Sequence, residues 1–172
     1  SDRLLHRLHV DADRAFAPRY FRFPHGDKGA LTGAQTELVP SPNGLARRRA
    51  IQLMLRERGY SQPDFGGITY RWYREQGLAE DADWYWTYDC HEWTTLDAEP
   101  QHGIRSLHDV FARMEEDEPE GRRGLNYAGS DDIVLVHDHC ETGRMFEPIL
   151  RRLLERGLRF ALSYAVTRVS RR

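Results

Sequence analysis

Three short polar clusters carry residue types able to do chemistry. His137-Asp138-His139-Cys140 follows the apolar run Ile133-Val134-Leu135-Val136. Histidine exchanges protons most readily near neutral pH, so an imidazole at a strand end suits acid or base work. In extended chain His137 and His139 share a face. Asp89-Cys90-His91-Glu92-Trp93 sets carboxylates beside an imidazole. A carboxylate can hold a histidine in one tautomer and raise its pKa, and Trp93 offers an apolar wall for a sugar ring or a methyl group. Arg22-Phe23-Pro24-His25-Gly26 joins a guanidinium, which can orient a carboxylate, to a turn whose N–H groups could face an oxyanion. Each cluster also has a plainer reading, as surface histidines, a capped strand end and a surface turn.

The elements around the clusters would position them. Leu5, Leu8, Ala12 and Ala15 recur at helical spacing ahead of Pro18, and Tyr20 to Phe23 reads as extended chain entering the Pro24–Asp27 turn. A helix is expected from Asn43 to Gly59, with Ala50, Ile51, Met54 and Leu55 inward. Asp83 to Asp89 reads as a strand. Ile104, Leu107, Phe111 and Met114 mark a helix, and Ile133–Val136 a strand buried on both faces. A last helix shows Phe146, Ile149, Leu150, Leu153 and Leu154 as one stripe, with Arg151, Arg152 and Glu155 facing away. Pro148 is expected in its first turn, Gly157 ends it, and Leu158 to Val166 reads as a closing strand. Strands and helices therefore alternate, which favours an α/β fold in which all three clusters meet at one rim, at the C-terminal ends of strands.

The 172 residues suffice for one domain with a core, and a net charge of −2 gives no reason to expect nucleic acid or an anionic membrane as partner. No apolar run is long enough to span a membrane, and Ser1 to His9 is too polar for a signal peptide. Lys28 is the single lysine among scattered arginines, which reads as compositional bias. Cys90 and Cys140 allow at most one disulfide.

Taken together the clusters resemble the polysaccharide deacetylases with a NodB-homology domain, carbohydrate esterase family four. Phe21-Arg22-Phe23-Pro24-His25-Gly26 is similar to that family's third motif, Asp89-Cys90-His91-Glu92-Trp93 to its fourth, and Ile133 to Asp138 to its fifth. Phe146-Glu147-Pro148-Ile149-Leu150 and Gly157-Leu158-Arg159-Phe160 resemble its closing helix and strand. The resemblance covers nearly the whole chain. It implies an incomplete (β/α)7-type barrel, with residues 1–172 forming a single partial deacetylase-like domain that lacks the N-terminal strands.

The resemblance further implies hydrolysis of the N-acetyl amide of an amino-sugar polymer or oligomer, a carbon–nitrogen bond other than a peptide bond. His137 would donate a proton to the departing amine, Asp89 would tune it, and Arg22 would position the base. Trp93 and Val136 would line the acetyl pocket, and the His25 N–H would face the oxyanion. His25 stands where the family has tyrosine, Glu92 where it has aspartate and Val136 where it has leucine. The complete family domain uses a divalent metal, usually zinc. The two motifs that supply its ligands and the base have no match here, since His6 and His9 are three apart and lack the second motif's Ser/Thr. The expectation is thus a fragment of a longer enzyme, binding no metal by itself and a poor catalyst alone. Family members are often secreted or attached to the cell envelope, while the compartment of this chain is left open. Alternatives are a non-catalytic carbohydrate-binding remnant, an amidohydrolase of the same superfamily acting on a small non-sugar amide, and a local zinc site of Cys90, His91, His137, His139 and Cys140.

Overall fold

The computed structural model describes residues 20–29, 42–137 and 139–161. They fall into two units: residues 20–29, 42–64 and 79–85 in one, and residues 65–78, 86–137 and 139–161 in the other. The expected first helix, His6, His9 and most of the closing strand lie outside the described residues.

In the first unit, helix α1 runs Pro42–Glu57. Proline is well placed at its start, because the first helical N–H groups lack partners anyway. Gly59 ends it at φ 78, and Tyr60 N–H donates to Leu55 C=O while Gly59 N–H donates to Arg56 C=O. This is a Schellman-type stop that favours a residue without Cβ. The buried face differs from the expected one. Gly44, Gln52 and Leu55 are inside, whereas Ala50 and Met54 are exposed. Residues 44, 48, 52 and 55 form one row along the helix, and polar partners on the 79–85 segment select it. Gln52 Nε2 donates to Asp83 Oδ1 at 2.6 Å, and Ala82 N–H donates to Gln52 Oε1 at 2.7 Å. Arg48 reaches Asp81 Oδ2 at 2.6 Å. Lys28 completes the group: its Nζ donates to Asp83 Oδ2 at 2.7 Å and Asp81 Oδ2 at 2.9 Å, and its side chain is 5% exposed. The lone lysine thus has a definite place, since a compact ammonium with three donors fits between two carboxylates.

The second unit carries the core. A short helix α2, Arg71–Glu75, precedes strand β1, Tyr88–Asp89. Strand β2, Val134–Leu135, pairs with β1 in parallel, Tyr88 opposite Val134 and Asp89 opposite Leu135. The strand expected over Asp83–Asp89 is reduced to its last two residues. Asp83 is held by Lys28 and Gln52 instead, and the Trp84 N–H donates to Phe21 C=O.

Between the strands lies helix α3, Leu107–Met114, and after β2 comes helix α4, Gly143–Glu155. Ser106 caps α3, its Oγ accepting from Asp109 N–H while the Asp109 carboxylate accepts from Ser106 Oγ and Arg105 N–H. That reciprocal pair satisfies donors a helix start leaves open. Tyr88, Cys90, Ile104, Val110, Met114, Met145, Ile149 and Leu153 form the core. Within α4 the buried row is Met145, Ile149 and Leu153, while Phe146 and Leu154 are 50% and 54% exposed. Arg152, expected to face away, is half-buried. It lies 5.9 Å above the Phe111 ring and pairs with Glu115 at 2.7 Å. Pro148 sits inside α4, at its sixth residue and not in the first turn.

Candidate functional site

β1 and β2 run side by side, so the residues just past their ends emerge together. Thr87 N–H donates to Ile133 C=O at 2.9 Å and Cys90 N–H to Leu135 C=O at 3.1 Å, which fixes this register. Asp89 ends β1, and His137 follows β2 by two residues. Two residues past β1, His91 adopts left-handed backbone at φ 53, its N–H donating to Asp89 Oδ1 at 2.8 Å. A short 3-10 turn, Glu92–Leu96, then turns the Glu92 side chain inward, where it is 1% exposed.

Glu92 faces His137. Glu92 Oε1 lies 3.2 Å from His137 Nδ1 and also accepts the His137 backbone N–H. Asp89 Oδ1 stands 3.9 Å from the same Nδ1. Hydrogen bonding to Glu92 assigns the Nδ1–H tautomer. The His137 side chain is half-buried, with the Trp93 ring edge-on at 5.8 Å and the His139 ring stacked at 6.0 Å. Burial raises the Asp89 carboxyl above its ordinary value, opposed by His91 and His137.

Of the residues singled out in the sequence, the structure brings Asp89, Trp93 and His137 together. Val136, just before His137, is half-buried against the core. Arg22 and His25 belong to the first unit. There the Arg22 guanidinium lies 5.2 Å above the Trp84 ring. The turn after it closes by hydrogen bonds from Gly26 N–H to Phe23 C=O and from Asp27 N–H to Pro24 C=O. His25 holds φ 54 within it. A non-glycine residue in that region costs roughly 1–3 kcal/mol and persists where its surroundings enforce it.

Glu92 is the residue of this group that the sequence leaves least conspicuous. It was legible as the second carboxylate of the Asp89–Trp93 cluster, but its proximity to His137 required the parallel register. Cys90 and Cys140 are free thiols; Cys90 is fully buried, which pushes its thiol up, and Cys140 is exposed. Among the described residues, the Cys/His set weighed as a local zinc site does not converge. The groups that do are Asp89, Glu92 and His137, and His91, His102 and Glu120. Among the described residues no helix is long and apolar enough to cross a membrane.

None of the protein-family models, curated proteins or solved structures compared with the chain matches it. The short motifs and the geometry of the two strand ends are therefore what a functional reading has to rest on.

Proposed function

We propose that the chain carries the acid–base part of an amide hydrolase of the polysaccharide deacetylase type, within a partial (β/α)7-type barrel, and that its substrate is an N-acetylated amino-sugar polymer or oligomer. The observation that carries this reading is His137 Nδ1 at 3.2 Å from the buried Glu92 carboxylate, with Asp89 at 3.9 Å, beside Trp93. Parallel strands β1 and β2 separated by a helix support the architecture.

In amide hydrolysis water adds to the carbonyl carbon, the C–N bond breaks, and the nitrogen leaves as an amine only once it takes a proton. An imidazolium aimed through Nε2 supplies that proton, and a carboxylate behind Nδ1 stabilises the charged ring in one orientation. Glu92 is the positioning residue and Asp89 a second carboxylate that adds negative potential. Trp93 supplies the apolar wall for the acetyl methyl or the sugar face, and Val136 directly precedes His137 in the chain.

A divalent metal, zinc in most of the family, would supply the activated water. The family's ligands for it have no counterpart in this sequence, so no step is assigned to it.

The test is acetate release from N-acetylated chitin oligomers by the full-length product of the gene. His137→Asn should lower kcat about 10²–10⁴-fold, the usual worth of one acid–base group, while oligomer binding persists. Unchanged turnover in His137→Asn, or oligomer binding without any turnover in the unmutated protein, would overturn the proposal. The second outcome would favour a carbohydrate-binding remnant.

A further inference from the structure

A second group converges near Trp93, separate from the Asp89, Glu92 and His137 set. The His91 ring lies 6.3 Å from the Trp93 ring and 4.6 Å from the His102 ring, and Glu120 faces both imidazoles. We propose that His91, His102 and Glu120 form a binding site for a divalent first-row transition ion of the zinc class, with a fourth position open to water.

Donor chemistry is the first support. Two imidazoles and one carboxylate make a common three-ligand set for such ions, and a site with three protein ligands keeps one position open. Geometry is the second. One ligand atom from each residue lies within 4.8 Å of the others. Glu120 Oε1 is 2.7 Å from His91 Nε2 and 3.3 Å from His102 Nε2. Ligand atoms at ordinary zinc distances around a tetrahedron are about 3.3–3.4 Å apart; the His102–Glu120 pair already has that spacing at 3.3 Å, and the His91–Glu120 pair at 2.7 Å would open to it as the ion enters.

Crowding is the third support. Arg113 Nη2 also reaches Glu120 Oε1, at 2.5 Å. Three nitrogens thus crowd one oxygen that has two lone pairs. An ion between the imidazoles and the carboxylate would use the histidine lone pairs and leave Arg113 to hold the carboxylate, the orienting role outer partners commonly play around metals. The guanidinium charge lowers affinity without blocking access, since the His102 and Glu120 side chains are 38% and 30% exposed.

The backbone points the same way. His91, His102 and Glu120, at φ 53, 55 and 55, are three of the four non-glycine left-handed residues among the described residues. Local sequence explains two of them. His102-Gly103 and Pro119-Glu120-Gly121 are tight turns, closed by Ile104 N–H to Gln101 C=O and by Gly121 N–H to Glu118 C=O. Turns of this type are usually given to glycine or asparagine at such positions, and here they present ligands. The inference departs from the expectation that this chain binds no metal by itself. It does not depend on the hydrolase reading, because it is read without substrate.

The experiment is titration of the chelator-treated 172-residue chain with Zn2+ by calorimetry, and with Co2+ by visible absorption. One ion per chain is expected. His102→Gln and Glu120→Gln, both at partly exposed positions, should each weaken Zn2+ by more than the roughly 10–100-fold typical of losing an outer partner. Glu92→Gln and Cys140→Ser should leave the affinity unchanged, and far-ultraviolet circular dichroism would verify that each variant folds. The cobalt spectrum of the unmutated chain should show tetrahedral d–d bands without a thiolate-to-cobalt charge-transfer band. The proposal is overturned if the chain takes up no Zn2+ at tens of micromolar, if both ligand variants keep full affinity, if Glu92→Gln abolishes binding, or if the thiolate band appears.

Discussion

Replacing Lys28 by Met removes the ammonium held between two buried carboxylates while keeping a flexible chain of similar length. Asp83 is 1% exposed and would retain its hydrogen bond from Gln52 at 2.6 Å, but not the charge at 2.7 Å. Asp81, 9% exposed, would retain Arg48 at 2.6 Å. Removing one partner of a buried ion pair typically costs about 3–5 kcal/mol, because the remaining charge is left in a poor medium. Arg48 stays beside Asp81, so the lower end applies, about 3 kcal/mol. For a chain of this size that is a fall of about 6–12 °C in Tm. The double variant Lys28→Met/Asp83→Asn removes both charges, and the amide oxygen of asparagine can still accept from Gln52. It should therefore be more stable than the sum of the two single variants by about 1–3 kcal/mol. Urea denaturation followed by tryptophan fluorescence, with Trp84 in the same unit, measures all four proteins of the cycle. A Lys28→Met protein within about 1 kcal/mol of the original, or additive effects in the double variant, would refute the assignment of Lys28 as a buried charge partner.

Two further predictions concern the second unit. Glu92→Ala leaves the His137 backbone N–H without its acceptor and should cost about 1–3 kcal/mol in urea denaturation, whereas Glu92→Gln, which can still accept from that N–H, should cost less. Equal losses for the two would argue against the clamp on His137. Burial raises the Asp132 carboxyl above its ordinary value, against hydrogen bonds from Thr87 Oγ1 at 2.7 Å and Tyr70 OH at 2.9 Å. A carboxyl raised in the folded state holds its proton more tightly there than in the unfolded chain. Stability is then lost as pH rises from the unfolded value through the folded one. Relative to Asp132→Asn, the unmutated protein should lose stability as pH rises above the ordinary aspartate value of about 3.9. Urea midpoints across that range would check it, and a flat or opposite slope would count against the burial argument.

Several features of the structure follow from local sequence alone. Gly59 and Gly157 end α1 and α4 because a left-handed residue closes the last carbonyls most cheaply without a Cβ. Ser106 and Asp109 begin α3, and the run Ile133–Val136 contains the strand that pairs in parallel with β1. The pairing of Asp89 with His137 was legible too, because parallel strands deliver the residues at their ends to one place. Other features depend on which surfaces meet. Gln52, not Ala50 or Met54, faces inward because Ala82 and Asp83 offer it partners that no helical periodicity can announce. Lys28 has its place from two carboxylates more than fifty residues away, and nothing in the residues around it points to them. The same holds for Glu92 against His137 and for Glu120 against His91 and His102. Periodicity, caps and turn residues act over a few positions and can be read in order. Hydrogen bonds and ion pairs between distant residues exist only once packing has brought the groups within about 3 Å, and that distance is written in no stretch of sequence.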